Sequence, residues 1–79
     1  MTELRILDLR NNSVASIPES VAGLDNLLYL DLRANAVATL PDALGDLPRL
    51  QKLDLRWTDI AGTPSCIARL ERRGCVVLR

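Results

Sequence analysis

The chain contains no histidine and no phenylalanine, and its aromatic residues are one tryptophan and one tyrosine among 79 residues. Without histidine, the Ser–His and Cys–His pairs that activate nucleophiles cannot form. The four glycines are scattered and form no glycine-rich phosphate loop. Two aromatic residues provide no stacking platform for bases, so nucleic acid is not an expected partner. The sequence predicts a non-catalytic protein without a cofactor.

Long apolar runs are also missing. No segment has the length of a transmembrane helix, so we expect no membrane association. The segment from Met1 to Arg5 does not show the basic and then apolar pattern of a secretion signal, which predicts a cytoplasmic protein. Cys66 and Cys75 form no CxxC motif and are too few for a good metal site. Free thiols are the expected state, and a disulfide is the alternative.

What the sequence does contain is a repeat. Residues 4–12, 27–35 and 50–58 share one pattern of leucine, aspartate and arginine at a spacing of 23 residues. Pro18, Pro41 and Pro64 keep the same spacing. A fixed period of about 20–50 residues is the signature of a solenoid, in which each repeat is one structural unit stacked on the next.

Two periodicities alternate within each repeat. In residues 30–33, leucine alternates with charged residues, as in a strand with one buried face. Leu44, Leu47 and Leu50 then fall at every third residue, which favours a short helix or 3₁₀ turn. Pro41 suits the first position of that turn, where a missing N–H costs little. One strand and one short turn cannot bury their own apolar side, so the repeats must stack into a continuous core.

On these residues the chain resembles the leucine-rich-repeat family, in its form with 23-residue repeats and Leu-Pro in the second half. The pattern Leu-x-x-Leu-x-Leu-x-x-Asn is complete at residues 4–12 and 27–35, whereas the third copy has Thr58 at the asparagine position. The resemblance is to the C-terminal end of a bacterial-type protein of this family. It implies an α/β solenoid, a right-handed β-α superhelix with a parallel sheet on the concave face and short helices or 3₁₀ turns on the convex face. We expect one domain over residues 1–79, with repeats at about 4–26, 27–49 and 50–72 and a terminal strand at 73–79.

In this family partners usually bind the concave face, to which the alternate residues of each strand point. Aligning the repeats places three columns there: Ile6, Tyr29, Lys52 and Cys75; Asp8, Asp31, Asp54 and Val77; Arg10, Arg33, Arg56 and Arg79. Two interpretations stay open for the aspartates and arginines. They are either a docking surface that offers both charges to a partner or a shared framework whose charges pair with each other.

The positions that vary between repeats are better indicators of a specific binding site than the columns that all repeats share. Trp57 occupies the slot of Asn11 and Ala34 at the strand end, and tryptophan is enriched in binding hot spots. Packing over the last repeat as part of an end cap is the alternative for this ring. The predicted partner-binding residues are Asp8, Arg10, Asn11, Tyr29, Asp31, Arg33, Lys52, Asp54, Arg56 and Trp57.

The resemblance gives Asn12 and Asn35 a structural role. Their side-chain amides are expected to bond the buried backbone of the turn after each strand, since buried backbone groups need partners. Thr58 should weaken this ladder, because a hydroxyl group has fewer donors and acceptors than an amide.

The two ends of the chain differ. The first strand is expected within a few residues of Met1, without a polar cap before it. Residues 1–48 hold seven acids and three arginines, a net charge of −4, and residues 49–79 hold seven bases and three acids, a net charge of +4. Two interpretations stay open for the charges: head-to-tail self-association, or a polar outer face on the closing repeat. The uncapped edge predicts self-association through the N-terminal end or marginal stability.

The predicted function is a non-catalytic protein–protein interaction module that binds a protein partner through the concave face. The alternative is a structural C-terminal cap or a fragment of a longer leucine-rich-repeat protein, or the recognition arm of a larger enzyme, without activity of its own.

Overall fold

A computed structural model describes residues 3–79 as a stack of strands on one side and short helices on the other. Strands β1 (Ile6–Asp8), β2 (Tyr29–Asp31), β3 (Lys52–Asp54) and β4 (Val76–Leu78) form one parallel sheet in the order β1-β2-β3-β4. Two 3₁₀ helices, Glu19–Gly23 and Asp42–Asp46, and one α-helix, α1 (Ser65–Arg72), connect them. The predicted solenoid, with a parallel sheet on one side and short helices on the other, is confirmed, and both helical forms are present.

The apolar core lies between the sheet and the helices. Leu7 of β1 pairs in register with Leu30 of β2, and Leu30 pairs with Leu53 of β3. From the helical side, Leu44 and Ile67 reach the same core, and both are fully buried. Each repeat therefore covers the apolar face of the one before it, as stacking requires.

The prolines lie immediately before the helices. Pro18 and Pro41 have extended backbones and directly precede the two 3₁₀ helices, one residue earlier than predicted. Their carbonyl groups accept the first helical bonds, from the N–H groups of Val21 and Leu44. Proline suits this place because it has no N–H group that would need a partner.

The third repeat differs from the first two, because its helix is an α-helix of eight residues. Its sequence contains good helix formers and no glycine until Gly74. Gly45 allows α1 to pack closely, since a Cβ atom there would lie 3.0 Å from Cα of Cys66 and 2.7 Å from Nη2 of Arg69. None of the helices formed by residues 3–79 is long and apolar enough to span a membrane.

The register of β4 corrects the predicted columns. Lys52 pairs with Val76 and Asp54 with Leu78, so Cys75 and Val77 do not extend these columns. Val77 pairs with Leu53 and packs against the core. The α-helix and the left-handed turn at Gly74 (φ 88°) lengthen the connection by one residue, which reverses the predicted faces of the last strand.

Polar side chains on the helical side connect each repeat to the previous one. Arg69 of α1 forms ion pairs with Asp42 and Asp46 of the second 3₁₀ helix, at 3.2 Å and 2.6 Å. Arg49 donates a hydrogen bond to the side chain of Asn26, and Arg73 donates one to the carbonyl group of Leu47. Arg69 thus pairs a positive charge of the C-terminal half of the chain with two negative charges of the N-terminal half.

The N-terminal end of the core is open. A cavity of about 290 Å³ lies there, lined mostly by apolar side chains of the first repeat, among them Leu7, Leu9, Ile17 and Val21. Leu7 and Leu9 are only partly buried, although the equivalent Leu30 and Leu32 are fully buried.

Candidate binding face

The concave face of the sheet carries the residues that alternate with the core leucines. One row across the strands holds Ile6, Tyr29, Lys52 and Val76, and the next holds Asp8, Asp31, Asp54 and Leu78. The arginines follow two residues after each aspartate. The structure therefore brings all ten predicted binding residues to this face or to the strand ends beside it.

Each arginine binds the aspartate of its own strand. Nε and Nη2 of Arg33 donate to the two carboxylate oxygens of Asp31, at 3.0 Å and 2.7 Å. The backbone N–H of Arg33 also donates to Asp31, at 3.1 Å. Arg10 and Asp8 form the same arrangement, as do Arg56 and Asp54. This fork geometry fixes the orientation of each guanidinium group.

The arginines also connect neighbouring strands. Nε of Arg10 lies 3.6 Å from the carboxylate of Asp31, and Nε of Arg33 lies 3.2 Å from that of Asp54. Each of these arginines thus lies between two aspartates, and the charges form a continuous network, which we call the Asp–Arg ladder. Pairing of the two columns with each other, one of the two interpretations from the sequence, is what the structure shows.

The aspartates differ in burial along the ladder. The exposed fraction of the side chain falls from 46% in Asp8 to 4% in Asp31 and 0% in Asp54. A partner on this face would meet the guanidinium groups first, with the carboxylates of Asp31 and Asp54 beneath them. These two residues support the arginines in this structure and leave Asp8 as the accessible carboxylate of the ladder.

Hydrogen bonds decide the charge state of the buried aspartates. Burial by itself would raise the pKa of Asp54, but the bonds from the side chain and backbone of Arg56 outweigh burial and lower the pKa. The same balance lowers the pKa of Asp31 through Arg33. In the exposed Asp8 the hydrogen bond from Arg10 is the main cause of a lowered pKa. All three carboxylates are therefore ionised at neutral pH.

Two pairs of a cation and an aromatic ring flank the ladder. The ammonium group of Lys52 lies 5.0 Å from the centre of the Tyr29 ring, and the guanidinium group of Arg56 lies 5.6 Å from the Trp57 ring. The hydroxyl group of Tyr29 donates to the carboxylate of Asp31 at 3.3 Å. Tyr29 thus has a partner on each side. Burial is the main cause that raises the pKa of its hydroxyl group, and the negative charge of Asp31 is the second.

Trp57 is the most exposed large apolar residue at the end of a strand, with 74% of its surface accessible. Its backbone is left-handed (φ 61°), as are those of the equivalent Asn11 (φ 58°) and Ala34 (φ 57°). The turn that ends each strand requires this conformation. The ring projects beside Arg56 and remains exposed, so the end-cap interpretation of Trp57 is wrong.

Asn35 confirms the predicted structural role of asparagine. Its Nδ2 donates to the carbonyl groups of Leu9 and Leu32, at 2.7 Å and 3.0 Å, and its Oδ1 accepts from the N–H groups of Asn12 and Val14. One side chain thus satisfies backbone groups of two successive repeats. Thr58 keeps one such bond, from its hydroxyl group to the carbonyl of Leu55 at 2.7 Å.

The prediction for Asn12 is wrong in one respect, because this residue is exposed rather than part of a buried ladder. The amide of Asn35 reaches back to the turn of the preceding repeat. Within residues 3–79, no repeat precedes the one that contains Asn12, so its amide has no such turn to bond.

Two exposed apolar residues on this face were not among the predicted binding residues. Ile6 and Val76 lie at opposite ends of the row that contains Tyr29 and Lys52, and both are more than half exposed. The repeat alignment already placed Ile6 there, and its apolar side chain on a solvated strand face was the available signal. Val76 was hidden by the shift of register in the last strand.

The two cysteines are free and buried. Cys66 faces the core from α1 rather than the outside of the turn, and burial raises the pKa of both thiols. Among residues 3–79, no group of three or more cysteine, aspartate or glutamate side chains is arranged to hold a metal ion.

One strand per repeat in a parallel sheet, with short helices on the opposite side, defines a solenoid repeat protein. The family model of the leucine rich repeat matches residues 2–60. The chain belongs to the leucine-rich-repeat family, whose repeats generally mediate protein–protein interactions and are typically non-catalytic. A search among curated proteins found no match.

Proposed function

We propose that the chain is a non-catalytic protein-binding module and that the partner docks on the concave face. The contact residues are those accessible there: the two cation–aromatic pairs, the guanidinium groups of Arg10 and Arg33, and Asp8 and Asn11 at the first strand. Asp31 and Asp54 hold the arginines in place from beneath.

The observation that carries this proposal is the conformation and exposure of Trp57. A left-handed backbone costs a residue with a Cβ atom about 1–2 kcal/mol, and asparagine tolerates it best. The first repeat has Asn11 at this position, so the fold accepts the less strained residue. Among residues 3–79, the Trp57 ring contacts one cationic side chain, that of Arg56, and 74% of the residue is accessible to water. A strained, exposed aromatic residue with no role in the core indicates a function outside the molecule.

The Asp–Arg ladder supports the same proposal in a different way. Because the buried carboxylates fix the guanidinium groups, a partner does not have to order these long side chains when it binds. Ordering a flexible side chain costs about 0.5–1.5 kcal/mol in an interface. The concave face is thus preorganised for binding.

Photo-crosslinking tests which face is used. A photoreactive amino acid is placed either at the exposed Val76, on the concave face, or at the exposed Glu19, on the helical side, and the chain is expressed in its own cells. We expect covalent partner complexes from position 76 and none from position 19. Trp57→Asn in the position-76 chain should remove the complex, whereas Ala34→Asn, the matched change in the preceding repeat, should not. Equal crosslinking from both faces would exclude the proposal.

The open apolar end supports a second candidate function. Leu7, Leu9, Ile17 and Val21 line an apolar cavity that another repeat or another copy would cover. This favours the alternative that the chain serves as a structural part of a longer repeat domain, or that copies associate head to tail. Sedimentation of the isolated chain distinguishes these cases. A concentration-dependent dimer that Leu9→Glu abolishes would support association through this end, and a stable monomer would exclude it.

The cytoplasm remains the proposed compartment. Its support is the state of Cys66 and Cys75, which are buried as free thiols. Reducing compartments maintain cysteines in this form. Microscopy of a tagged chain in its own cells tests this location.

A further inference from the structure

The first and third strands of the concave face differ in the charge they expose. At β1 the carboxylate of Asp8 and the guanidinium of Arg10 are both about half exposed, at 46% and 50%. At β3 the carboxylate of Asp54 is fully buried, whereas 40% of the Arg56 side chain is accessible. The same two residue types therefore present a balanced surface at β1 and a cationic surface at β3.

The guanidinium group of Arg56 has an unused edge. Its Nε and Nη2 atoms donate to the two oxygens of Asp54, at 3.0 Å and 2.8 Å. Its Nη1 atom has no hydrogen-bond partner among the residues that the structure describes. The edge formed by Nη1 and the second N–H of Nη2 is therefore available, and arginine binds carboxylates in this bidentate way.

Apolar surface lies beside each exposed cation. The ring of Trp57 stacks on Arg56, and Tyr29 lies under the ammonium group of Lys52. Val76 follows Lys52 in the same row and is more than half exposed. Lys52 lies at the start of β3, and Arg56 lies in the turn that follows this strand. The surface thus offers two cationic points, each with an aromatic neighbour.

We propose that the C-terminal half of the concave face binds an acidic protein segment in which aspartate or glutamate side chains alternate with apolar ones. One carboxylate binds the free guanidinium edge of Arg56, with an apolar side chain against Trp57. A second carboxylate binds Lys52 beside Tyr29. This inference rests on the proposed function and adds the chemistry of the partner.

A nucleic acid fits this surface less well. Its affinity comes mainly from many phosphate contacts, typically about 6–10 lysine or arginine residues. The C-terminal half of the face exposes Arg33, Lys52 and Arg56, and the buried Asp31 and Asp54 neutralise much of their charge. A few fixed donors with apolar neighbours suit individual carboxylates better than a phosphate backbone.

Random peptides displayed on phage and selected on the intact chain test the proposal. Trp57 is the only tryptophan, so its fluorescence reports directly on this part of the face. We expect selected peptides to be rich in aspartate and glutamate next to apolar residues, and to shift the Trp57 emission to shorter wavelength. Replacing their carboxylates by amides should weaken binding at least about tenfold, the loss typical of a hydrogen bond to a charged group.

Variants of the chain locate the carboxylate sites by calorimetry. Lys52→Glu and Arg56→Lys should each weaken the peptide by about tenfold, the second because lysine keeps the charge but lacks the fork. Arg72→Lys is the matched control on the helical side and should change the affinity by less than about twofold, because Arg72 is exposed on α1, away from the concave face. Among residues 3–79, no ion pair or hydrogen bond joins the Lys52 side chain to the Asp–Arg ladder, so Lys52→Glu tests the proposal even if Arg56→Lys fails to fold.

Several outcomes would overturn the inference. These are a selected pool without acidic enrichment, an amide peptide that binds as tightly as the acidic one, no selected peptide at all, or tighter binding of oligothymidylate. Non-acidic peptides that still require Trp57 would leave the proposed function intact and remove only the acidic partner. Peptides that bind regardless of Trp57→Asn and Lys52→Glu would exclude both.

Discussion

The tetrapeptide Leu-Asp-Leu-Arg occurs at residues 7–10 in the first repeat and at residues 53–56 in the third. In the third repeat Leu53 and the side chain of Asp54 have no exposed surface, whereas Leu7 and Asp8 remain partly or largely accessible. The difference comes from the neighbours, because a central strand is covered on both edges and by helices of two repeats. Identical residues therefore contribute very differently to stability, and the comparison can be tested position by position.

The largest difference should appear in the leucines. Leu30→Ala removes a fully buried side chain and should lower the free energy of unfolding by about 3 kcal/mol. Leu7→Ala, at the open end, should lower it by about 1 kcal/mol, because this side chain is only partly removed from water. Urea titrations followed by circular dichroism measure both. Equal losses would mean that the N-terminal end is covered in solution.

The aspartates provide the second comparison. Asp54→Ala leaves Arg33 and Arg56 without their shared carboxylate and should lower the free energy of unfolding by about 2–3 kcal/mol, somewhat less than a fully buried pair because both arginines are partly exposed. Asp8→Ala removes an exposed partner and should leave the urea midpoint almost unchanged. A large effect of Asp8→Ala would contradict the gradient of burial along the ladder.

The asparagines give a third contrast. Asn35→Ala removes three hydrogen bonds to the backbone of the first repeat and one to Leu32 of its own repeat, and should lower the free energy of unfolding by about 2 kcal/mol. Asn12→Ala changes an exposed residue, so we expect less than about 0.5 kcal/mol. Thermal unfolding of the two variants beside the parent chain is sufficient to compare them. If both variants unfolded at the same temperature, the hydrogen bonds of Asn35 would contribute nothing to stability.

Lowering the pH from neutral should destabilise the central repeats. The pKa values of Asp31 and Asp54 are lower in the folded chain than their ordinary value of 3.8. The unfolded chain therefore takes up protons first, and the stability from these groups, fully present above about pH 4 to 5, is lost as the pH falls through the folded pKa values. Urea midpoints between pH 7 and pH 2 should show this loss, and Asp54→Asn should reduce its slope. A parent chain with the same midpoint at every pH would exclude the ionised ladder.

The smallest expected effect has the opposite sign. Trp57→Asn places a residue that tolerates the left-handed backbone at φ 61° and should raise the free energy of unfolding by up to about 1 kcal/mol. Ala34→Asn changes the equivalent turn of the second repeat in the same direction. Differential scanning calorimetry checks the stabilities, and peptide binding checks the function. Stabilisation by both changes, with loss of binding only in Trp57→Asn, would separate function from folding at this position.

The sequence predicted the repeat unit well because its signal is periodic. The leucines of the first three strands, the Asp and Arg columns and the role of Asn35 all follow from alignment of the copies. The last strand was predicted on the wrong face, since an alignment at 23 residues has no means of detecting the extra residue beside Gly74. A shift of one residue exchanges the two faces of a strand, so a small error in length has a large consequence there.

The candidate site was predicted less completely. Exposure of Trp57 followed from its position at the strand end, but its strained backbone and its contact with Arg56 required the turn geometry. Burial of Asp54 beneath two arginines was not visible either, because the sequence shows the same Asp-Leu-Arg in every repeat. What binds on this face remains a prediction.

The sequence alone determined the period, the parallel stacking and which residues alternate between core and concave face, because these properties depend on local spacing. The tertiary structure decided which of the repeated residues are buried, which charges are accessible and which face the last strand presents. Burial and pairing depend on what lies on either side of a residue in the stack. Copies of one motif, identical in sequence, therefore provide a buried support at Asp54, an accessible carboxylate at Asp8 and a candidate binding residue at Arg56.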